Sequence, residues 1–160
     1  MTKAFDFVDH KLLLHKLYKY GIRGKAYEWI KSYLNDRIQC VEIAKIEKGS
    51  KVIYGSLFQI NKYGVPQGSI LGPFLFLLYI NDLPNVTMYK TILFVDDTTL
   101  IIECNDQNTY QIEINRNLDK ILKWLHDNNL KINLSKTKMI QFKNPRQKTI
   151  DLDINYNNTY

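Results

Sequence analysis

The chain has 160 residues, of which 45% are hydrophobic, and a net charge of +6. This length and composition suit one domain, or part of one, and exclude a short peptide or a wholly disordered tail. No stretch reaches the roughly 18 apolar residues of a membrane span, and no secretion signal is evident, so we expect an intracellular protein of nucleus or cytoplasm with no membrane partner.

The first part of the chain predicts two helices followed by strands. Apolar residues recur at helical spacing after Asp9, a plausible N-cap, which predicts a helix over 9–20. The same pattern predicts a second helix over 25–34. β-branched and polar residues then mix over 37–63, which predicts two or three strands that turn near 48–50.

The second part predicts a loop, two helices and more strands. Glycines and a proline mark a loop at 64–69, and the nearly all-apolar run that follows predicts a buried helix over 73–81. A further amphipathic helix is predicted over 108–127, with short strands at 131–134 and 139–142. This mixture indicates an α+β fold, with an antiparallel sheet and helices packed on one face.

The sequence LFVDDTTL at 93–100 places two adjacent carboxylates, Asp96 and Asp97, between apolar runs. β-prone residues lie on both sides, so the pair is predicted to form the tip of a hairpin with a two-residue turn. Because aspartate is a common turn former, a solvated turn is one interpretation. A metal site is the other.

The positive charge is concentrated in two regions. Six basic residues lie over 11–31 against the single acid Glu28, and six more lie over 128–150 with no acid. Two basic regions that flank an acidic hairpin suit a polyanion held by lysines and arginines, such as a nucleic acid. Two solvated faces are the alternative.

Several segments, taken in this order, resemble the reverse transcriptase of non-LTR retrotransposons of the jockey type. The resemblance implies a polymerase palm, two Mg²⁺ ions as cofactors, and an RNA template, a DNA primer and deoxynucleotide triphosphates as partners. It covers nearly the whole chain. The segments that carry it are KAFDFVDH at 3–10, YGIRG at 20–24, SYLNDRIQ at 32–39, GVPQGSILGPFLFLLYINDLP at 64–84 and FVDDT at 94–98.

The resemblance implies catalytic and metal-binding roles for three residues. Asp96 matches the metal-binding carboxylate of the palm hairpin, with Asp97 as its less direct neighbour. Closely placed carboxylates suit Mg²⁺, which prefers hard oxygen ligands. Lys136, within NLSKTK, matches a motif that follows the hairpin and could neutralise or protonate the leaving pyrophosphate, a role that Lys138 could share. A solvated lysine is the alternative.

Three further residues match positions that contact nucleotide or template. Phe5 matches the bulky residue that packs against the sugar and rejects a 2′-hydroxyl, with ordinary core packing as the alternative. Gln67 and Gly68 match the loop beside the nascent base pair, where glycines let backbone approach nucleic acid closely. Asp6 and Asp9 are interpreted as capping or turn residues and not as metal ligands.

This sequence departs from the family pattern at its start. The family motif Asp-x-x-Lys-Ala-Phe-Asp places a metal-binding aspartate directly before Met1. We therefore expect an N-terminally truncated reverse transcriptase domain over 1–144, lacking the leading strand, fingers and thumb of a parent polypeptide, and a partly disordered tail over 145–160. Such a chain by itself should be inactive or nearly so. Val95 stands where the family usually has alanine.

Two other functions are weighed against this one. The first is a non-catalytic, nucleic-acid-binding remnant of such a domain, in which the basic regions persist without chemistry. The second is an RNA-directed RNA polymerase of viral type, which shares an acidic hairpin. Phe5 opposes the second, because a bulky residue against the sugar excludes ribonucleotides.

Overall fold

The computed structural model describes residues 1–47, 49–103 and 107–142, so the predicted tail at 145–160 lies outside the described residues. Helices and antiparallel strands are both present. Their order is a 3-10 turn at Ala4–Phe7, α1 at His10–Lys19, α2 at Gly24–Leu34, β1 at Ile38–Gln39, β2 at Glu42–Glu47, β3 at Ser50–Gly55, β4 at Gln59–Ile60, α3 at Leu71–Ile80, a 3-10 turn at Leu83–Val86, β5 at Lys90–Phe94, β6 at Asp97–Ile101 and α4 at Gln107–Asp127.

The strands form antiparallel pairs, and the single palm-like sheet that we predicted is not present in the described residues. β1 pairs with β4, β2 with β3 and β5 with β6. The first two pairs lie along one long hairpin that turns between β2 and β3, where the sequence predicts a turn. Sequence patterns identify each hairpin, but the joining of hairpins into a sheet depends on contacts between segments distant in the chain.

The hydrophobic core is built mainly from helices. α1 packs against α2 and α3, while α4 contacts the 3-10 turn at Leu83–Val86. None of the described helices is both long enough and apolar enough to cross a bilayer. The largest fully buried side chains are Tyr79, Phe76, Leu13, Leu17, Leu34, Leu75, Ile80, Leu83 and Val8.

The predicted helices are confirmed, with one difference in burial. Asp9 caps α1 as predicted, since its Oδ1 accepts a hydrogen bond from the Leu12 backbone N–H at 2.9 Å. α3 begins two residues before Pro73 and is buried on one face only, with Phe74 50% exposed and Leu77 44% exposed. An all-apolar sequence does not reveal which face of a helix the rest of the fold covers.

The strands predicted at 131–134 and 139–142 are wrong. The described chain there is irregular, with a turn at 134–136. The carbonyl oxygen of Asn133 accepts hydrogen bonds from the backbone N–H groups of Lys136 and Thr137, and its side-chain oxygen accepts from the Ser135 hydroxyl. These local hydrogen bonds compete with a strand ladder, and the residue types at 131–134 and 139–142 did not indicate that competition.

One basic residue counted among the solvated charges over 11–31 is buried. The Lys16 side chain is only 8% exposed, and its Nζ donates hydrogen bonds to the Asp82 carboxylate at 2.6 Å and to the Tyr79 carbonyl at 2.7 Å. It also lies over the rings of Tyr79 and Trp124. Burial lowers the pKa of Lys16, and the Asp82 carboxylate opposes that shift. Lys16 therefore fixes α1 against the end of α3 and is not available to a polyanion.

The phenol of Tyr79 makes stability depend on pH above neutrality. Burial raises the pKa of Tyr79 to about 12 from 10.0. Because the pKa is higher in the folded state than in the unfolded state, the protonated phenol stabilises the folded protein. This contribution to the free energy of unfolding is complete below pH 10 and is lost as pH rises toward about 12. A shift of this size corresponds to roughly 2–3 kcal/mol in the free energy of unfolding.

We expect urea unfolding between about pH 9 and pH 12 to show this loss in the unaltered chain and a smaller loss in Tyr79→Phe, where only the raised pKa of Tyr20 still contributes. Tyr79→Phe should also be less stable at neutral pH, because the hydroxyl donates to the Asn128 carbonyl at 2.7 Å. The control is Tyr54→Phe, on exposed strand β3, which should keep the alkaline loss. Identical pH slopes for the unaltered chain and Tyr79→Phe would contradict the assignment.

Candidate active site

The two adjacent aspartates lie at the tip of the β5–β6 hairpin, as the sequence predicts. Phe94 and Asp97 form the last cross-strand pair, so the two-residue turn consists of Val95 and Asp96. The turn therefore contains only the first of the two aspartates, Asp96, and Asp97 already belongs to β6. Asp96 is half-buried within the turn, and Asp97 is exposed as the first residue of β6.

The turn holds a β-branched residue in an unfavourable conformation. Val95 has a φ of 54°, in the left-handed region, which β-branched residues rarely adopt. Such a conformation costs roughly 1–2 kcal/mol and persists only where surrounding contacts determine the turn. The next turn residue, Asp96, is therefore presented by a backbone that tertiary contacts hold in place.

The N-terminal segment 1–9 contacts the hairpin and the loop that follows β4. The Met1 amine donates a hydrogen bond to the Asp96 carbonyl at 3.2 Å. Four residues later, the Phe5 carbonyl accepts a hydrogen bond from the Val65 N–H at 2.8 Å, and the Phe5 ring stacks on Phe76 with centroids 4.7 Å apart. This segment joins Asp96 to Phe5 within a few residues of chain.

The loop at 64–69 is held against the same segment. Gln67 Nε2 donates to Asp6 Oδ1 at 3.1 Å, so the Asp6 carboxylate, which belongs to the 3-10 turn at Ala4–Phe7, also makes a side-chain contact with the loop. The backbone N–H of Gly64 donates to the Val8 carbonyl at 2.7 Å. Gln67 therefore lies close to Phe5, because it contacts Asp6, the residue that follows Phe5 in the chain.

The two glycines of this loop differ in their surroundings. Both have positive φ, +84° for Gly64 and +80° for Gly68. A Cβ at Gly64 would lie 3.1 Å from the Asp6 backbone, whereas a Cβ at Gly68 would have nothing within 4 Å. Gly64 thus serves a close approach within the chain, and only Gly68 keeps open space that a ligand could enter.

Lys136 is not brought to the hairpin by any described contact. It is exposed in the turn at 134–136, and no hydrogen bond or ion pair within residues 1–47, 49–103 and 107–142 joins it to Asp96 or Asp97. The turn is nevertheless anchored near segment 1–9, since the Thr2 N–H donates to the Lys131 carbonyl at 2.9 Å.

The hairpin offers oxygen donors that suit a divalent cation. Asp96 and Asp97 supply carboxylates, the donor type that Mg²⁺ prefers. Within the described part of the chain, no three His, Cys, Asp or Glu side chains come together as a metal site. Next to the pair, the buried Thr98 Oγ1 has no hydrogen-bond partner among the described residues. The pair fits a metal by donor type but forms only part of a coordination shell.

A cleft beside Gln67 was not predicted from the sequence. Its volume is about 590 Å³. Arg37 and Lys62 contribute positive charge to its lining, and Asp6 is the one carboxylate among the lining residues that the structure describes. The only sequence signal was the position of Arg37 and Lys62 just before and just after the β1–β4 pair, which by itself does not indicate a cleft.

Comparison with known proteins links this chain to polymerases of mobile elements. The family model for reverse transcriptase (RNA-dependent DNA polymerase) matches residues 1–151. The chain is 32% identical over 145 residues to a probable RNA-directed DNA polymerase from transposon BS of Drosophila melanogaster, which covers 86% of this chain and 15% of that protein. It is 28% identical over 152 residues to the RNA-directed DNA polymerase from mobile element jockey of the same species, covering 90% of this chain and 16% of that protein. No solved structure matches.

The contrast between the two loop glycines is testable. We expect Gly64→Ala to lower the free energy of unfolding by about 1–3 kcal/mol more than Gly68→Ala. Both variants bear the cost of a positive φ, but only the first also places Cβ against the Asp6 backbone. Urea unfolding of both variants measures the difference. Equal destabilisation would show that Gly64 has no special packing role.

Proposed function

Because the chain belongs to the reverse transcriptase family, we propose that it forms the palm region of an RNA-directed DNA polymerase of a non-LTR retrotransposon. The chain spans about 15% of the length of the polymerase from transposon BS that it matches. The activity proposed here is accordingly that of a longer polypeptide, in which fingers and thumb segments complete the binding of template and primer.

The proposed reaction joins a DNA primer to an incoming deoxynucleotide on an RNA template. The primer 3′-oxygen forms a bond to the α-phosphorus, the bond between that phosphorus and the bridging oxygen to the β-phosphate breaks, and pyrophosphate leaves. Asp96 and Asp97 would hold the Mg²⁺ ions. Bound Mg²⁺ would neutralise charge on the phosphate oxygens as the reaction proceeds.

The contact between Met1 and the hairpin tip is the observation that carries this proposal. The Met1 nitrogen lies 3.2 Å from the Asp96 carbonyl oxygen. In the family motif the further metal-binding aspartate is the residue joined to that nitrogen. A residue joined to that nitrogen would begin within a few Å of the Asp96 backbone and would bring a third carboxylate to the hairpin tip.

The remaining roles follow from the contacts of segment 1–9. Phe5 would face the sugar of the incoming nucleotide, with its ring supported by Phe76. Gln67, oriented by Asp6, and Gly68, with open space around it, would lie beside the nascent base pair. Lys136 would reach the leaving pyrophosphate only when substrate or further protein segments order its exposed side chain.

The proposal predicts that activity depends on an aspartate at the position directly before Met1, as in the family motif. We expect little primer extension on an RNA template by the 160-residue chain, and clear extension by a polypeptide that continues upstream with an aspartate directly before Met1. In that longer polypeptide, Asp96→Asn should lower the rate at least about 100-fold, because it removes a metal ligand.

The matched control is Asp119→Asn on the exposed side of α4, which makes the same chemical change away from the hairpin and should leave the rate unchanged. Robust extension by the longer polypeptide carrying Asp96→Asn would overturn the assignment of the hairpin as the metal site.

The proposed sugar-facing role of Phe5 predicts a change in nucleotide selectivity. In the active longer polypeptide, we expect Phe5→Ala to reduce the preference for deoxynucleotides over ribonucleotides by about tenfold or more, because the 2′-hydroxyl is no longer sterically excluded. The ratio of kcat/KM for the two nucleotides measures this preference. Phe58→Ala, which removes an exposed ring outside segment 1–9, is the control and should retain the preference. A preference unchanged by Phe5→Ala would leave Phe5 with a packing role only.

A further inference from the structure

We propose that the cleft beside Gln67 binds the phosphates of a nucleic-acid strand through Arg37 and Lys62. The inference rests on the proposed function, because it concerns a strand that passes the Gln67 loop. It adds a binding surface beside the β1–β4 pair, whose lining residues include neither Asp96 nor Asp97.

Charge in the cleft favours an anionic ligand. Arg37 and Lys62 line it, and neither forms an ion pair within the part of the chain that the structure describes. The single carboxylate, Asp6, already accepts a hydrogen bond from the Gln67 amide at 3.1 Å. Two basic groups without carboxylate partners provide an electrostatic site for phosphate.

The basic residues are carried on a supported backbone. The Asn61 N–H donates to the Arg37 carbonyl at 2.7 Å, and the Asn61 side chain donates to Gln39 Oε1 at 2.8 Å. The backbone of Tyr63, next to Lys62, forms an isolated antiparallel β-bridge with the backbone of Asp9. The two sides of the cleft are thus connected by hydrogen bonds, and little backbone ordering would be needed on binding.

The surroundings favour a strand over a free nucleoside triphosphate. Triphosphate sites commonly present backbone N–H groups to the phosphates. Here the N–H groups of Gly64 and Val65 are already donated to the Val8 and Phe5 carbonyls. Tyr63, by contrast, is 55% exposed beside the cleft, and an exposed ring next to basic groups is typical of single-strand binding, where bases stack on aromatic side chains.

Fluorescence anisotropy with a labelled single-stranded RNA of about 16 nucleotides tests this inference on the 160-residue chain. We expect Arg37→Gln with Lys62→Gln to weaken binding about tenfold or more, and to reduce the slope of log K against log salt by about 1.4, since each phosphate contact with a single strand contributes about 0.7. The control, Lys51→Gln with Lys123→Gln, removes the same charge from exposed positions that neither line the cleft nor belong to the two basic regions of the sequence.

Three results would overturn the inference. They are equal weakening by the two double variants, absence of RNA binding by the unaltered chain, and displacement of RNA by a deoxynucleotide triphosphate whose own binding depends on Arg37 and Lys62. The last result would assign the phosphate site to the nucleotide. Failure of primer extension by the longer polypeptide, with intact, cleft-dependent RNA binding, would count against the proposed polymerase and not against the cleft.

Discussion

The pairing of segment 1–9 with the loop after β4 is the constraint on which the candidate site depends. Two backbone hydrogen bonds, Val65 N–H to the Phe5 carbonyl and Gly64 N–H to the Val8 carbonyl, bring the loop against the 3-10 turn. Such an approach requires a residue without Cβ at position 64, because the Asp6 backbone occupies that space. Because the same segment reaches the hairpin through Met1, one short stretch of chain determines where the carboxylates, the aromatic ring and the loop amide lie relative to one another.

The helical core supports this arrangement, and the long hairpin extends away from it. Tyr79 illustrates the support, since its buried hydroxyl lies between the Asp9 N–H and the Asn128 carbonyl and so connects α1, α3 and the chain after α4. The β2–β3 pair instead leaves apolar side chains in solvent, with Ile46 78% exposed. Apolar exposure of this extent is compatible with the proposal that fingers and thumb segments of a longer polypeptide pack around this palm region.

Acidic and basic side chains occupy different places in the candidate site. The adjacent carboxylates lie at the tip of the β5–β6 hairpin, while Arg37 and Lys62 line the cleft beside Gln67. Lys16, although part of a basic region of the sequence, is paired with Asp82 in the interior and contributes to packing. Net charge therefore overstates the positive surface, and the site of phosphate binding depends on which basic residues lack carboxylate partners.

The sequence by itself determined the family, the helices and the hairpin that carries the two aspartates, because motif spacing and hydrophobic periodicity are local properties that the fold preserves. It also gave Asp9 as a helix cap. Tertiary structure alone decided that the strands pair as separate hairpins, that the chain after Asn133 turns at 134–136, that Lys16 is buried, and that Gln67 contacts Asp6. Each of these depends on a partner distant in the chain or on competition between local and long-range hydrogen bonds, which no pattern of neighbouring residues records.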